Sequence, residues 1–569
     1  MKTGFLVAFS LLASMEAWSQ SQTVIHKAVP VDEAPLRARA VTQSKHYIIV
    51  KPEWDESDEQ EFSNFVAALG ASGCSTLENC LKGKANPFRN TDPDDLSFFT
   101  DCADFPYMLR AYFAWKRGLP FSVASRVGTA DKPEEGKDFD IRYTQSGNFI
   151  AARRDFTTPI VYNKEGRVNG GNHFTLDEMW NHAQNILSSA MYRTDPRKPD
   201  PKFFSDFYSP AITRDQIRPG TVVYAPHGHV GIVHRVDENG NVYILQSGIE
   251  GDISRIRLNN TSYPQSRTEH GAGFKNWRPL KLVGATTFQP PGVQMNVYLG
   301  GHVEGMSDDQ LRDQGKLSLE QYGRVNGKFD LRGQKLGWED YVTAKLSTKA
   351  WRRDPVGDLG KRLEALCAQV KARISSVNHA LDRGLPQLAH PERLPSNIFG
   401  SGGDPEWQTF STPGRDANMR EMMHDTIVFT NEMLSMSSDQ IEETTYRGKN
   451  LKADMGAELK RQSQACTLSY RNSRGTNVPL SLVDVMKRAD RMSFDPYHCP
   501  ELRWGATGTE LAGCAQGTDS QAWYEAQAPL RTSRFRDTKQ SHGYTLSEAQ
   551  TELRRYRDGK GKFDLTQVL

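Results

Sequence analysis

The sequence predicts an α+β domain followed by a mainly α-helical region. Two amphipathic helical patterns come early, a cluster of short apolar strand-like runs follows, and a Gly/Pro-rich stretch at 285–293 separates these from long helical patterns. At 569 residues the chain is too long for one ordinary domain. Lys+Arg 71 against Asp+Glu 69 leaves a formal charge of +2, so no global field draws in nucleic acid or an anionic membrane. No nucleic-acid partner and no membrane insertion are expected.

The opening residues read as an export signal. Lys2 precedes the apolar run Gly4 to Ala13, and Ala17-Trp18-Ser19 offers small residues where a signal peptidase reads, which puts cleavage after Ser19. The run is too short for a bilayer, which takes about 20 apolar residues. The mature chain is expected to be secreted or periplasmic, with one domain over 20–284, a linker over 285–293 and a helical region over 294–569. Tyr47 to Val50 reads as a strand. Asp58 to Leu69 reads as a helix with Phe62, Phe65 and Leu69 on one face. Phe105 to Lys116 is helical in pattern and ends at Gly118 and Pro120. Thr175 and Glu178 form a capping box ahead of a helix over Met179 to Met191. Thr221–Tyr224, Val230–Val233 and Val242–Leu245 read as strands, the last two joined by the turn Asp237 to Gly240. Beyond the linker, helices are expected over Ser307–Gln314, Trp338–Leu346, Leu359–Leu381, Ala417–Met436, Asp439–Ser469 and Leu480–Met492.

In an exported chain, cysteines pair. Cys74 and Cys80 can close a small loop. Cys367, Cys466, Cys499 and Cys514 can pair in three ways, of which Cys367–Cys466 with Cys499–Cys514 is preferred. Cys102 is left over. It lies at the mouth of the Phe105 helix, where Pro106 fits a first turn and the helix dipole favours a thiolate. A thiolate nucleophile needs a base to hold it and to protonate the leaving amine. His229 suits that role: it opens the Val230 strand, whose Gly231 lets another segment approach closely. His227 is the alternative base. The plain readings are a buried or interchain cysteine for Cys102 and a surface hairpin residue for His229.

These two segments resemble the NlpC-type cell-wall peptidases, a papain-like cysteine hydrolase family. Asp101-Cys102-Ala103-Asp104-Phe105 is similar to the family's helix start. Arg218 to Tyr224 and His229-Val230-Gly231-Ile232-Val233 are similar to its strand pair. The likeness covers about Phe98 to Gly248 and departs from the family at Ala103-Asp104, where Ser-Gly is usual, and at Thr221, where Asp is usual. It implies a helix bundle packed on an antiparallel sheet. It also implies a third polar residue on the strand after His229, which falls on Gln246, with Asn241 and Asp237 as weaker choices. The implied activity is hydrolysis of an amide bond by Cys102, His229 and Gln246, most simply in peptidoglycan stem peptides, without cofactor or metal. A scaffold protein that keeps the fold, or an amidase or transglutaminase acting on proteins, are the alternatives. The helical region is assigned an unknown protein partner. Arg142, Arg153 and Arg154 are candidates for reading a substrate carboxylate. Met419, Met422, Met423, His424, Met433 and Met436 carry metal-binding atoms, but at a helical spacing that suits core packing better.

Overall fold

Asp55 opens the first long helix, α1 (Glu56–Ala71). Its carboxylate accepts from the Asp58 N–H while the Asp58 carboxylate accepts from the Asp55 N–H, a reciprocal cap that starts the helix two residues before the expected Asp58. Phe62, Phe65 and Leu69 are all buried on one face. This computed structural model describes residues 45–96, 100–132, 140–198, 202–248, 253–260, 262–292, 294–325, 327–396, 398, 405–532, 543–553 and 563–569. The expected signal segment, 1–19, and Phe98 lie outside the described residues.

The next long helix, α2 (Asp104–Arg117), is buried on every side from Asp104 to Lys116, as suits the central helix of a core. Gly118 ends it with φ 64°, and a Cβ there would lie 2.5 Å from Val50 Cγ2. Tyr47 to Val50, expected as a strand, joins no strand ladder. Its N–H groups bond instead to loop carbonyls, Tyr47 to Phe174 O at 2.7 Å and Val50 to Gly118 O at 2.8 Å. An apolar run signals burial, and loops can satisfy it as well as strands do. Thr175 and Glu178 cap α3 (Leu176–Gln184) reciprocally. The helix stops short of Met191 because the Ser188 hydroxyl accepts from the Ala190 N–H and starts a separate turn, Ser189–Tyr192.

Six strands form the main sheet: β1 (Phe207–Tyr208), β2 (Val222–Tyr224), β3 (Val230–Val236), β4 (Val242–Ser247), β5 (Ile253–Arg257) and β6 (Gly273–Trp277). They lie in the order β1-β6-β2-β3-β4-β5 with every neighbour antiparallel. The fold class is α+β. In the β3–β4 hairpin, Ile232 pairs with Leu245 and Val236 with Val242. The Asp237 carboxylate accepts from the Asn239 and Asn241 N–H groups to close the turn.

Alternation splits the sheet's apolar residues between two layers. Val222, Tyr224, Val230, Ile232 and Leu245 join the core of α1 and α2. Val223, Val233, Val242 and Ile244 join a second core with Phe329, Leu336 and the helix α4 (Trp338–Leu346). The linker expected at 285–293 is therefore corrected. Thr286–Phe288 pairs with Val297–Leu299, and Leu280–Val283 pairs with His302–Gly305, so Pro290 to Gly292 sit at a hairpin tip. Proline and glycine mark a turn; they do not say whether the flanking strands pair across it.

From Pro355 the main elements are α5 (Pro355–Asp382), α6 (Pro413–Leu434) and α7 (Leu451–Ala465), with shorter helices and the hairpin Leu468–Arg471/Asn477–Leu480. The helix expected over Asp439–Ser469 is thus divided into Ser438–Glu442, α7 and the first hairpin strand. Met419, Met422, Met423 and Met433 of α6 pack in one core with Leu359, Leu363, Leu366 and Val370 of α5. Three disulfides form, Cys74–Cys80, Cys367–Cys466 and Cys499–Cys514. These bridges are compatible with a secreted protein. Among the described residues no helix is long and apolar enough to cross a membrane.

Candidate active site

Cys102 is the one cysteine outside the disulfides, half-buried in the turn that leads into α2. The Asp101 side chain shapes that turn by accepting from the Ala103 N–H at 2.8 Å and the Asp104 N–H at 3.0 Å. Its backbone carbonyl accepts from the Phe105 N–H at 3.1 Å. Two further bonds pin the turn from outside. The Tyr192 hydroxyl donates to Ala103 O at 2.7 Å, and the Ser247 hydroxyl at the end of β4 donates to Thr100 O at 3.0 Å. Burial, and then the charge of Asp101, push the Asp104 carboxyl up to about 7 against a hydrogen bond from Gln184. Asp104 therefore holds much of its proton at neutral pH, which limits the negative charge beside the thiol.

His229 and Gln246 meet across the β3–β4 ladder. The His229 Nε2 and Gln246 Oε1 atoms are 2.9 Å apart. The Tyr263 hydroxyl also donates to Gln246 Oε1, at 3.1 Å, and Gln246 Nε2 donates to the Ser254 hydroxyl at 3.0 Å. So placed, the amide turns its oxygen toward the imidazole. An amide oxygen only accepts, so His229 carries its proton on Nε2, and Nδ1 keeps the lone pair that a base needs. The Tyr263 ring also stacks on the imidazole, with centroids 5.8 Å apart. Gly231 makes this packing possible: a Cβ there would lie 2.3 Å from the Tyr263 hydroxyl and 2.5 Å from Ile244 Cγ2.

Cys102 enters the same group through the tyrosines. Burial and then the Cys102 charge hold the Tyr263 hydroxyl well above its ordinary value. Burial and then the Asp104 charge raise Tyr192, and burial raises Tyr224 against the pull of Arg193, with Cys102 a smaller contributor to both. The bond from Ser247 to Thr100 O sets the Cys102 turn against the end of the sheet where β4 finishes.

The other candidates have different employment. His227 stacks beside His229 with centroids 6.3 Å apart. Asn241 and Asp237 bond to each other in the hairpin turn. Arg153 is buried and bonds to Phe204 O, the Ser122 hydroxyl and Asp206, so it holds the fold together. Arg142 is paired with Asp140, and Arg154 is exposed. Cys499, Glu501 and Cys514 bring potential metal ligands together, but a disulfide takes both sulfurs. Tyr263 and Ser254 were missed in the sequence. Ser254 faces Gln246 only through the β4–β5 register, and Tyr263 lies in a loop without periodicity. The one signal was the missing side chain at Gly231, which called for a close neighbour without saying which.

No family model, curated protein or solved structure matches the chain.

Proposed function

We propose that this chain is an exported cysteine hydrolase that cleaves an amide bond by a papain-like mechanism. The observation that carries the reading is the 2.9 Å bond from His229 Nε2–H to Gln246 Oε1, which leaves Nδ1 as the basic nitrogen of a held imidazole. In this mechanism Nδ1 takes the proton of the Cys102 thiol, and the thiolate attacks the carbonyl carbon. The tetrahedral oxyanion is bound by the Cys102 backbone N–H. The imidazolium then protonates the leaving amine as the C–N bond breaks, leaving a thioester. Water, deprotonated by Nδ1, hydrolyses the thioester and restores the thiol. Gln246 orients the ring through a neutral hydrogen bond, so it steers the tautomer without adding charge.

The substrate class we propose, peptidoglycan stem peptides, rests on the resemblance of the Cys102 and His229 segments to the cell-wall peptidases. Mass spectrometry of purified muropeptides incubated with wild type and with Cys102→Ala tests it. New peptide fragments with wild type alone are expected. Intact muropeptides with both proteins, alongside cleavage of a protein amide by wild type, would move the substrate to proteins and keep the chemistry.

A further inference from the structure

We infer that Tyr192 and Arg193 are positioning residues that hold the Cys102 turn and the loop ahead of His229 at one separation. For its role in turnover the inference rests on the hydrolase reading; the contacts that carry it do not. Tyr192 closes the turn Ser189–Tyr192, which the Ser188 hydroxyl starts, and Arg193 follows directly. Both are fully buried. The Tyr192 hydroxyl donates to the carbonyl of Ala103, next to Cys102, at 2.7 Å. Arg193 takes hold of the other segment: its Nη1 donates at 2.8 Å to the carbonyl of Pro226, in the loop that joins β2 to His229. Ser189, at the head of the same turn, meets that loop as well. Gly228 has φ 92°, and a Cβ on it would lie 3.2 Å from Ser189 Oγ. One short turn therefore grips both halves of the candidate site.

The grip is stiff. Arg193 Nε donates to Thr144 O at 2.7 Å, so the planar guanidinium is held along two edges. The Asn148 N–H donates to Arg193 O at 2.7 Å, and Asn148 Nδ2 donates to Ala190 O at 2.9 Å. The Tyr192 ring stacks on Phe207 and Tyr224, with centroids 5.0 and 5.9 Å away, and meets Tyr107 edge to face. Loop carbonyls drift unless something rigid holds them, and here two buried side chains do so. Proton transfer from a thiol to an imidazole requires close approach, and a misplacement of about 1 Å can cost about 100-fold. Asp101 shapes the Cys102 turn and Gln246 orients the imidazole, but neither joins the two segments. Ser247 ties the Cys102 turn to β4. Tyr192 and Arg193 tie it to the loop that ends at His229.

The test is the pH dependence of Cys102 alkylation by iodoacetamide in the full-length, non-reduced protein, which needs no substrate. A thiol paired with an imidazole ionises well below the ordinary value of about 8.5, and His229→Ala should raise the midpoint toward that value. Tyr192→Phe removes one hydroxyl, keeps the ring stack and changes no charge. It should raise the midpoint by about 1 pH unit, roughly a tenfold slower reaction well below the midpoint. Arg193→Met should act the same way. Arg193→Lys keeps the charge and a donor for Pro226 O but loses the fork, so its midpoint should fall between wild type and Arg193→Met. Tyr107→Phe is the control. It loses a buried hydroxyl from the same core, one that donates to Asp206 and touches neither segment, and should lower the melting temperature without moving the midpoint. A shift with His229→Ala but none with Tyr192→Phe or Arg193→Met overturns this inference and keeps the hydrolase reading. No shift with His229→Ala overturns the pairing of thiol and imidazole, and this inference with it. Equal shifts with Tyr107→Phe and Tyr192→Phe would mean general loosening of the core and would overturn the inference alone.

Discussion

Adding a single methyl group at Gly231 should damage the candidate site from behind. The new Cβ would lie 2.3 Å from the Tyr263 hydroxyl, 2.5 Å from Ile244 Cγ2 and 2.9 Å from Leu245 O. Two of these neighbours are strand residues that cannot retreat far, so the tyrosine has to move. Moving it breaks the 3.1 Å bond to Gln246 Oε1, worth about 1 kcal/mol net. Overpacking a well-filled core adds about 1–3 kcal/mol. Gly231→Ala should therefore cost roughly 2–4 kcal/mol in urea unfolding. Tyr263→Phe removes the nearest clashing atom and should itself cost about 1 kcal/mol. The double variant should then be less damaged than the two single losses together, with a coupling of about 1 kcal/mol. Strict additivity, or a Gly231→Ala protein as stable as wild type, would show that Tyr263 does not occupy the space above Gly231, and the account of how Gln246 is held would fall.

Three further outcomes follow from the same physical picture. A chain ending after Val293 loses Phe329, Leu336, Trp338, Tyr341, Val342 and Leu346 from the second face of the sheet. At about 1.5–3 kcal/mol for each buried side chain, that matches or exceeds the roughly 5–15 kcal/mol that holds a domain together. It should be insoluble or unfolded by circular dichroism, whereas a soluble, cooperatively melting product would restore the boundary at 285–293. Asp104 titrates near 7 in the folded chain and near 3.9 when unfolded, so the folded state binds more protons between those values, and this residue lowers stability as pH rises from about 4 to 7. Asp104→Asn should remove that decline in denaturant titrations at pH 5 and pH 8, and an unchanged difference would place Asp104 in a more polar setting. Removing Cys367–Cys466, which closes 99 residues, should cost about 4–5 kcal/mol, against about 3 kcal/mol for Cys499–Cys514, which closes 15. The reverse order in thermal melts would mean that strain or denatured-state structure outweighs loop closure.

What the sequence made legible was local. The cap at Thr175, the helix start at Ser307 and the glycine stop at Gly118 act within a few residues and could be read from the chain, whereas the Asp55 cap, which starts its helix two residues before Asp58, was missed. Short apolar runs at Val230–Val233 and Val242–Leu245 with the turn Asp237 to Gly240 between them gave the hairpin, and the hairpin brings His229 to Gln246. Export called for cysteine pairs, and the preferred set among three pairings of the last four is the one that forms. What stayed hidden depends on long-range packing. Tyr47–Val50 looked like a strand because it is apolar, yet its hydrogen bonds go to loop carbonyls at Gly118 and Phe174, far along the chain. The second core was hidden because Trp338 to Leu346 reads as one amphipathic helix among several, and nothing local says that it covers the sheet. Tyr263 was hidden for the same reason: it matters through what it faces, not through its neighbours in the chain.

The most direct test is whether Cys102 and His229 act as one unit. Turnover of purified muropeptides should be measured for wild type, Cys102→Ala, His229→Ala and the double variant under non-reducing conditions. The account predicts that each single change lowers turnover by several orders of magnitude and that the double variant is no worse than the more damaged single one, because a nucleophile without its base and a base without its nucleophile fail alike. Wild-type turnover in His229→Ala, with activity lost only in Cys102→Ala, would contradict it.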